Sequence, residues 1–568
     1  MQSDTQSLKD IEEPRALPAQ ARRDETNSPH SNRGFVSPYL SISNILVLAA
    51  SVGILVFLWS LNYNKLGYFY DYSIMSDAAF KYASGLRPYR DFTTPIQSFS
   101  IWLAYASEVV FGPRYLALAY MNLVLALGLF FLVVEYVRRA FSFRLACLVA
   151  MALSVSSFLQ HGIIWYNSIG LLLVSAVTLK GADLLRSRII RTRDVVWMTA
   201  LLLMVGLTKL NFFFVSILVI MAFAAVGAKE DMRLRGRKKN IARAVLFLAL
   251  CGAPPIIETL ANHVTFSTWL REVVLETASQ RFSFLRVMLK PSFYIAELNP
   301  WWPGTILAGC VLICLVVYIV LASATVRQYR EDEHKDSGGM IIRLGFICLF
   351  WVSAILLVVS NVDIESLSLS CCLLGVVAMG TSGQFSRETL KKSIRNSAIL
   401  LGSYFLLVGT VSAARHARLS LTGKSFPGYT ISKDGEPPYL RGVQLSHQEI
   451  EILADTRKLM DENPGVRVYW GPGLEILNRI YGGVTDPAFP LWYHLNASVK
   501  ESDSPRINEA IRRSGAGLVV MDKMWLGRVP IGEQKYLEKE WSRDKDDDPL
   551  LVYRKKANDP MTVADAGH

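Results

Sequence analysis

The sequence predicts an α-helical polytopic membrane protein of about eleven transmembrane helices, followed by an extracytoplasmic α/β domain. Of its 568 residues, 51% are hydrophobic and only 19% are charged, whereas soluble domains carry about 25% charged residues. The apolar residues fall in runs of about 17–25, long enough to cross a hydrocarbon core of about 30 Å. The composition therefore excludes an ordinary soluble enzyme, a disordered scaffold and a fibrous protein.

The apolar runs define the predicted spans. Their ranges are 43–61, 115–137, 145–161, 166–184, 195–208, 211–227, 241–259, 304–325, 343–360, 365–381 and 397–414. The run 197–226 is interrupted by Thr208-Lys209-Leu210-Asn211. One tilted helix would bury the Lys209 ammonium at mid-depth, which is costly. The sequence therefore favours two short helices that meet at Lys209, near one membrane face.

The net charge of +12 follows the predicted topology. Lys and Arg cluster in five loops, 138–144, 185–194, 228–243, 327–343 and 382–395. With eleven spans these loops all lie on one side, which the positive-inside rule makes cytoplasmic. The N-terminus is then cytoplasmic and the C-terminal domain lies outside. The basicity is explained by topology, so no nucleic-acid partner is predicted.

Three domains follow from this topology. Residues 1–42 are predicted to be a disordered cytoplasmic tail, and 43–414 a transmembrane domain with two long outer loops, 62–114 and 260–303. Residues 415–568 are predicted to form the outer α/β domain. Its predicted helices are 447–461, 473–481 and 505–513, and its predicted strands are 466–470, 517–521 and 550–553.

Loop 1, residues 62–114, carries three aspartates, Asp71, Asp77 and Asp91. Helices are predicted at 73–84 and 98–111, both along the membrane surface. A carboxylate at the membrane face can act as a general base toward a hydroxyl group. The alternative is that these acids are solvated or cap helices, and Asp77 is placed to pair with Lys81 at i+4.

The loop resembles a known family. Asp71, Ala79, Gly85 and the turn Arg87-Pro88-Tyr89-Arg90-Asp91-Phe92 are similar to the first outer loop of polytopic glycosyltransferases of the C superfamily. These include the dolichyl-phosphate-mannose mannosyltransferase-like and aminoarabinose-transferase-like bacterial enzymes. The family places an acidic pair at the start of this loop. Here Tyr72 follows Asp71, which leaves the identity of the base open and argues against an acidic-pair metal site.

The resemblance extends over most of the chain, from about residue 43 to 530. Trp165-Tyr166-Asn167 resembles the family's outer Tyr-Asn element, and the segment around Lys209 resembles its Lys-containing helix break. Val468-Tyr469-Trp470-Gly471-Pro472 and the segment 517–521 resemble its soluble outer domain. The resemblance rests on the combination of the topology, loop 1 and the C-terminal domain, residues 415–568, which we call the tail. No single motif is as specific as a phosphate-binding loop.

The resemblance implies an integral-membrane glycosyltransferase in the inner membrane of a bacterium. Its donor would be a polyprenyl-phosphate sugar, because a lipid-linked sugar can reach an outer site whereas the nucleotide-sugar pool is cytoplasmic. The acceptor would be a cell-envelope glycan, lipid or protein. Direct displacement at the anomeric carbon would invert its configuration. Asp71 and Asp91 are the catalytic candidates.

Cations and polar groups at the outer helix ends are the substrate-binding candidates. They are Lys209, Arg87, Tyr89, Arg90, Tyr166, Asn167, Glu258 and His161. Lys209 is the first choice for the donor phosphate, and its alternative role is to anchor a helix end by snorkelling. Arg87 and Arg90 are alternatively surface charges, and Asn167 a helix cap. Glu258 is predicted to orient the acceptor or assist the base.

Metal binding and other functions are less favoured by the sequence. The seven cysteines all lie in or beside predicted spans and are expected to be buried small hydrophobes, so no metal ligands are predicted. The sequence leaves open whether a divalent cation is needed. An envelope-lipid transporter or a non-catalytic polysaccharide assembly protein remain the alternatives. Transporters often show inverted repeats, and none is evident here.

Overall fold

The structure is a computed structural model of the chain. It describes residues 41–66, 69, 73–159, 162–187, 192–231, 252–275, 303–331, 340, 344–345, 347–350, 352, 370–382, 388–421, 429–430, 437–493, 495, 498–545 and 549–556. The predicted N-terminal tail, Asp71 and His161 lie outside these residues. The chain divides into two compact units, Met1–Ala49 and Ala50–His568. Of the first unit, the structure describes residues 41–49, which begin the first helix.

Helices make up most of the described chain. The first eight are α1 (Ile42–Ser60), α2 (Ile74–Ala83), α3 (Ser98–Phe111), α4 (Leu116–Val137), α5 (Phe143–Phe158), α6 (Tyr166–Ser187), α7 (Thr192–Gly206) and α8 (Leu210–Asp231). Next come α9 (252–262), α10 (Phe266–Leu270) with a π-helical turn at Arg271–Leu275, α11 (Pro303–Glu331), α12 (Ser370–Thr381) and α13 (Glu388–Leu421). The tail adds α14 (His447–Glu462), α15 (Leu477–Tyr481), α16 (Ser504–Arg513) and α17 (Ile531–Glu540).

Five of the described helices are long and apolar enough to cross a membrane. They are Ile42–Ser60, Leu116–Val137, Tyr166–Arg186, Leu312–Arg330 and Glu388–Val411. Shorter apolar helices occur at Ser98–Phe111, Phe143–Phe158, Leu210–Phe223 and Ser370–Thr381. Lengths and compositions of this kind are typical of an integral membrane protein. The count of eleven spans stays a prediction.

Loop 1 forms two helices close to their predicted positions. Helix α2 ends before Gly85, whose φ of 85° is a conformation that glycine adopts without strain. Helix α3 covers the predicted 98–111. A helix on a membrane surface would leave one face uncovered, but Ile74, Ser76 and Asp77 of α2 are all fully buried. Helix α2 packs against α3 on one side and the tail helix α15 on another.

The tail contains a four-stranded mixed sheet. Its strands are β4 (Val468–Trp470), β5 (Leu518–Asp522), β6 (Trp541–Lys545) and β7 (Leu550–Lys555), in the order β4-β5-β7-β6. Strands β4 and β5 are parallel, and the other pairs are antiparallel. Every residue of β4 and β5 is buried, and Tyr469, Val519 and Met521 share a hydrophobic core with residues of α16 and α17. The observed elements lie within a few residues of those predicted.

Main-chain pairing joins the tail to loop 1. Strand β1 (Lys65–Leu66) pairs in parallel with β3 (Gln444–Leu445), which also pairs with β2 (Tyr429–Thr430). A second contact involves Thr93, whose N–H donates to the carbonyl of Phe489 (3.1 Å) and whose carbonyl accepts from the N–H of Leu491 (2.8 Å). Loop 1 and the tail therefore share backbone hydrogen bonds both before and after helix α2 in the sequence.

Candidate active site

The chain breaks between α7 and α8, as the sequence predicted, and Lys209 lies at the break. The Thr208 hydroxyl donates to the carbonyl of Met204 (2.7 Å), a back-bond that loosens the end of a helix. The freed carbonyl of Leu207 accepts from the N–H of Phe99 (2.9 Å), at the start of α3. The break is therefore joined directly to loop 1.

Three predicted site residues meet at this break. The Lys209 Nζ donates to Asn167 Oδ1 at 2.7 Å and lies 4.4 Å from the centroid of the Tyr166 ring. Tyr166 and Asn167 open helix α6, whose N-terminus adds a positive partial charge. Both are largely buried, at 9% and 6% exposure. The Lys209 ammonium is partly buried, and a cation on an aromatic face beside a helix N-terminus is well placed to bind an anion.

Asp91 closes the loop 1 turn. Its Oδ2 accepts from the N–H of Arg87 (2.7 Å) and from Nη2 of Arg90 (2.7 Å). Partial burial favours a higher pKa for Asp91, but the hydrogen bonds from Arg90 and from the Arg87 backbone outweigh it and lower the pKa. A carboxylate held ionised by such partners is a weak proton acceptor. The contacts of Asp91 are thus those of a turn-closing residue.

Arg87 and Tyr89 have different environments in the same turn. The Arg87 guanidinium lies 4.8 Å from the centroid of the Tyr82 ring. Tyr89 is 5% exposed, has a φ of 65°, and donates from its hydroxyl to the carbonyl of Ile96 (3.3 Å). Its ring packs with Trp269 of α10. A left-handed tyrosine costs about 1–3 kcal/mol and persists only where the surrounding packing enforces it, so this packing anchors the turn on α10.

Glu258 lies on α9 and caps helix α3. The side chain is fully buried. Its Oε1 accepts from the N–H of Ser98 (2.9 Å), and its Oε2 accepts from the Ser98 hydroxyl (2.6 Å) and from Asn262 Nδ2 (3.0 Å). A carboxylate there satisfies orphan donors at the first turn and complements the helix dipole. Glu258 therefore fixes the start of α3, where the next residue, Phe99, bonds to Leu207 of the break.

A buried polar cluster between loop 1 and the tail was not predicted. We call it the interface cluster; its members are Ser73, Ser76, Asp77, Lys81, Glu108, Tyr439, Glu475 and Arg479. The Asp77–Lys81 pair at 2.8 Å is the predicted i+4 contact. Nothing in the sequence indicated the tail partners, because Glu475 and Arg479 lie about four hundred residues further along the chain.

Arg479 is the main tail cation of the interface cluster. Its Nη2 lies 2.8 Å from Glu108 Oε2 on α3, and its guanidinium carbon lies 4.8 Å from the centroid of the Tyr439 ring. The Tyr439 hydroxyl donates to Glu108 Oε1 (3.0 Å) and lies 2.5 Å from the Ser76 hydroxyl. Both oxygens of the buried Glu108 carboxylate are therefore paired across the contact between loop 1 and the tail.

Asp71 and His161 cannot be placed, since they lie outside the described residues. Phe69 and Ser73, the described residues on either side of Asp71, are buried at 1% and 0% exposure. Within the part of the chain that the structure describes, no three or more His, Cys, Asp or Glu side chains are grouped to hold a metal ion.

Comparison with known proteins gives matches among solved structures. No family model matches the sequence, and no curated protein sequence matches it. The chain is similar to ArnT from Cupriavidus metallidurans in the apo state, at 14% identity and a TM-score of 0.40, over 90% of this chain and 98% of that one. The same protein bound to undecaprenyl phosphate matches at 13% identity and 0.38, over 91% and 99%.

A third similar structure is the archaeal oligosaccharyltransferase AglB from Archaeoglobus fulgidus, in complex with an inhibitory peptide and a dolichol-phosphate. It matches at 11% identity and a TM-score of 0.40, over 93% of this chain and 76% of that one. Both proteins are members of the C superfamily of glycosyltransferases.

Proposed function

We propose that the protein is an integral-membrane glycosyltransferase that moves a sugar from a polyprenyl-phosphate donor to a cell-envelope glycan, lipid or protein. The observation that carries the proposal is the meeting of Lys209, Tyr166 and Asn167 at the helix break. The sequence predicted Lys209 as the ligand of the donor phosphate and Tyr166 and Asn167 as substrate-binding residues, and Lys209 and Asn167 are 42 positions apart. These contacts partly shield the Lys209 ammonium from water and fix its position.

The proposed reaction needs a cation for the phosphate and a base for the acceptor. Lys209 would hold the donor phosphate, with the N-terminus of α6 adding positive potential. Asp71 would take the proton from the acceptor hydroxyl as its oxygen bonds to the anomeric carbon. The bond from that carbon to the phosphate oxygen breaks on the opposite face, so the configuration inverts and polyprenyl phosphate leaves. Loss of that proton makes the acceptor oxygen a better nucleophile.

The assignment of the base is tested with Asp71→Asn in purified, reconstituted protein. Transfer from a polyprenyl-phosphate sugar should fall by about 10²–10⁴-fold, while binding of undecaprenyl phosphate is retained. Asp91→Asn is the matched control, because it removes a second acid of the same loop. Unchanged transfer by the Asp71→Asn protein would refute Asp71 as the base. Wild-type protein that binds the lipid and moves no sugar from any donor would favour a transporter or an assembly protein.

The phosphate site is tested at Lys209. Lys209→Ala should weaken binding of undecaprenyl phosphate by about 10- to 100-fold, because a charge-assisted hydrogen bond is lost. Lys209→Arg keeps the charge and should retain part of the affinity. Equal affinity of all three proteins for the lipid would show that the phosphate binds elsewhere.

We also propose that the tail faces the periplasm of a bacterium with an inner membrane. Support comes from the basic loops, which the positive-inside rule assigns to the cytoplasm. The tail has no cysteine, so Met524→Cys, at a side chain 62% exposed, introduces a single tail thiol. A membrane-impermeant maleimide should label it in intact spheroplasts. Arg144→Cys, in a basic loop, should be labelled only after lysis, and the reverse pattern would invert the topology.

A further inference from the structure

Glu258 links helix α9 to the break between α7 and α8. Its carboxylate accepts from the N–H and from the hydroxyl of Ser98, the first residue of α3 (2.9 and 2.6 Å). Asn262, one turn further along α9, donates to the Ser98 hydroxyl (2.8 Å) as well as to Glu258 Oε2 (3.0 Å). The next residue of α3, Phe99, donates its N–H to the carbonyl of Leu207 at 2.9 Å. A hydrogen-bonded path thus runs from α9 through the start of α3 to the break.

The hydrogen bonds of Glu258 are shielded from water. Glu258, Ser98 and Asn262 are each at most 1% exposed. A buried carboxyl is costly unless hydrogen bonds satisfy it, and the low local dielectric strengthens the bonds that it makes. Movement of Ser98 away from Glu258 would leave buried polar groups on both sides without partners. The start of α3 is therefore held in one position, and the Phe99 N–H with it.

Packing also holds the break, both before and after Lys209 in the sequence. Pro254 of α9 lies so close to Gly206, the last residue of α7, that a Cβ on this glycine would overlap the proline ring. Leu210, the first residue of α8, packs against the hydrophobic cluster around Trp269 of α10. Interiors packed this closely transmit small displacements, so the break follows the position of α9 and α10.

The Leu207 carbonyl is the point at which α3 holds the backbone of the break. The N–H groups of Thr208 and Lys209 both donate to the carbonyl of Val205 at 3.0 Å, which closes the end of α7. The Leu207 carbonyl lies two residues before Lys209 and accepts instead from Phe99, outside the helix. This bond therefore sets where the backbone of Lys209 lies relative to α3.

We propose that Glu258 is a positioning residue for donor binding, which holds the start of α3 and thereby keeps the Lys209 ammonium where the donor phosphate binds. This inference deepens the proposed function and rests on it, because the phosphate site at Lys209 is part of that proposal. Glu258 acts through the backbone of α3 and the break, whereas the sequence pointed to a direct role at the acceptor or the base. A charge-assisted hydrogen bond depends on the distance and direction of its donor, so a small displacement of Lys209 weakens phosphate binding.

The hold on the break is tested without any assay of activity. Backbone hydrogen exchange is measured by mass spectrometry on the full-length protein in lipid nanodiscs, in peptides that cover 97–103 and 203–213. The Glu258→Ala protein should exchange about tenfold faster in both, because the hydrogen bonds at the start of α3 are lost. Glu533→Ala is the matched control, because it removes a fully buried carboxyl that binds Tyr493 in the tail core.

The positioning role is tested by a double-mutant cycle on the binding of undecaprenyl phosphate. Glu258→Ala alone should weaken binding by about 5- to 10-fold, because the Lys209 ammonium is no longer held in place. In the Lys209→Ala background the same change should alter the affinity by less than about twofold, because the group that Glu258 positions is absent.

Two milder variants guard against a loss that comes only from misfolding. Glu258→Gln keeps the shape and an acceptor oxygen for the Ser98 N–H, and it should retain most of the affinity for undecaprenyl phosphate. Ser98→Ala removes one of the two bonds between Ser98 and Glu258. Its loss of about threefold should likewise disappear in the Lys209→Ala background.

The outcomes separate the two proposals. Unchanged exchange over 203–213 in the Glu258→Ala protein would overturn the hold on the break, and so would an equal increase in the Glu533→Ala control. Faster exchange with unchanged affinity would overturn the positioning role, as would an equal loss of affinity with and without Lys209. A Lys209→Ala protein that binds the lipid as tightly as wild type would refute the phosphate site of the proposed function, while the exchange data would still decide whether Glu258 holds the break.

Discussion

Loop 1 contributes acids to two ion pairs that differ in their exposure to water. In the turn of Arg87 to Asp91, the Arg90–Asp91 pair lies at the surface, with the two side chains 43% and 23% exposed. In the interface cluster, Arg479 and Glu108 are 13% and 5% exposed at a similar separation of 2.8 Å. Water screens the first pair and hardly reaches the second, so pairs of similar geometry differ in what they contribute to stability.

The protonation of the carboxyls differs in the same way. In the turn, hydrogen bonds from Arg90 and the Arg87 backbone lower the pKa of Asp91. In the interface cluster, burial raises the pKa of Glu475 to about 8, and the nearby Asp77 charge adds to the rise. An acid in a motif that suggests catalysis can thus be an ionised residue that closes a turn. A carboxyl group from a distant part of the sequence, such as that of Glu475, can have the more strongly shifted pKa.

The largest expected effect is that of Arg479→Ala. Removing one partner of a buried pair leaves the Glu108 carboxylate without its cation, which typically costs about 3–5 kcal/mol of unfolding free energy. The thermal midpoint of the purified protein should fall by several degrees. A midpoint equal to that of wild type would show that water reaches the interface cluster, and the contrast with the turn would disappear.

An intermediate effect is expected from Glu475→Gln, and it depends on pH. The folded pKa of about 8 lies above the ordinary value of 4.5, so the folded state holds a proton that the unfolded state releases between these values. The stability this group contributes is present below pH 4.5 and is lost as pH rises toward about 8, by at most about 1.4 kcal/mol per unit. Gln does not titrate, so the variant should lose stability less steeply.

The measurement for Glu475→Gln is the thermal midpoint of both proteins from pH 5 to 9. The two curves should diverge as the pH rises, with the variant the more stable at pH 8. Parallel curves would mean that Glu475 titrates near its ordinary value and that the interface cluster is hydrated.

The smallest effect is expected from Arg90→Ala. An exposed pair of adjacent residues is screened by water, so the midpoint should not change measurably. Asp91→Asn should be similar, because the amide oxygen can still accept from the Arg87 N–H. Assays of sugar transfer test the role of Asp91 directly. If Asp91→Asn lost as much transfer activity as Asp71→Asn, Asp91 would again be a candidate for the catalytic base.

Local rules were enough to predict several features. The polar interruption at Lys209 predicted the break between α7 and α8, because a buried ammonium is costly in a continuous span. The i+4 spacing predicted the Asp77–Lys81 pair, and apolar periodicity predicted α3 with the observed bounds. Each of these depends on residues that are close together in the chain.

Features that depend on distant partners were not predictable. The role of Glu258 as the cap of α3 requires Ser98, which is 160 residues away. The burial of α2 depends on a tail helix that periodicity places in a separate domain. The left-handed Tyr89 is enforced by packing on Trp269, and sequence patterns give little weight to that conformation in a non-glycine residue.

The separation of Ser73 and Glu475 by 402 residues has a consequence for biosynthesis. At about 5–20 residues per second, the ribosome needs about 20–80 s between making one partner and making the other. Throughout that time, loop 1 carries polar side chains whose partners do not yet exist. A chain truncated after α13 would contain helices α1 to α13, but Ser73 and Glu108 would lack their tail partners. Assembly of the interface cluster is therefore among the last events of synthesis, and products truncated before the tail should lack it.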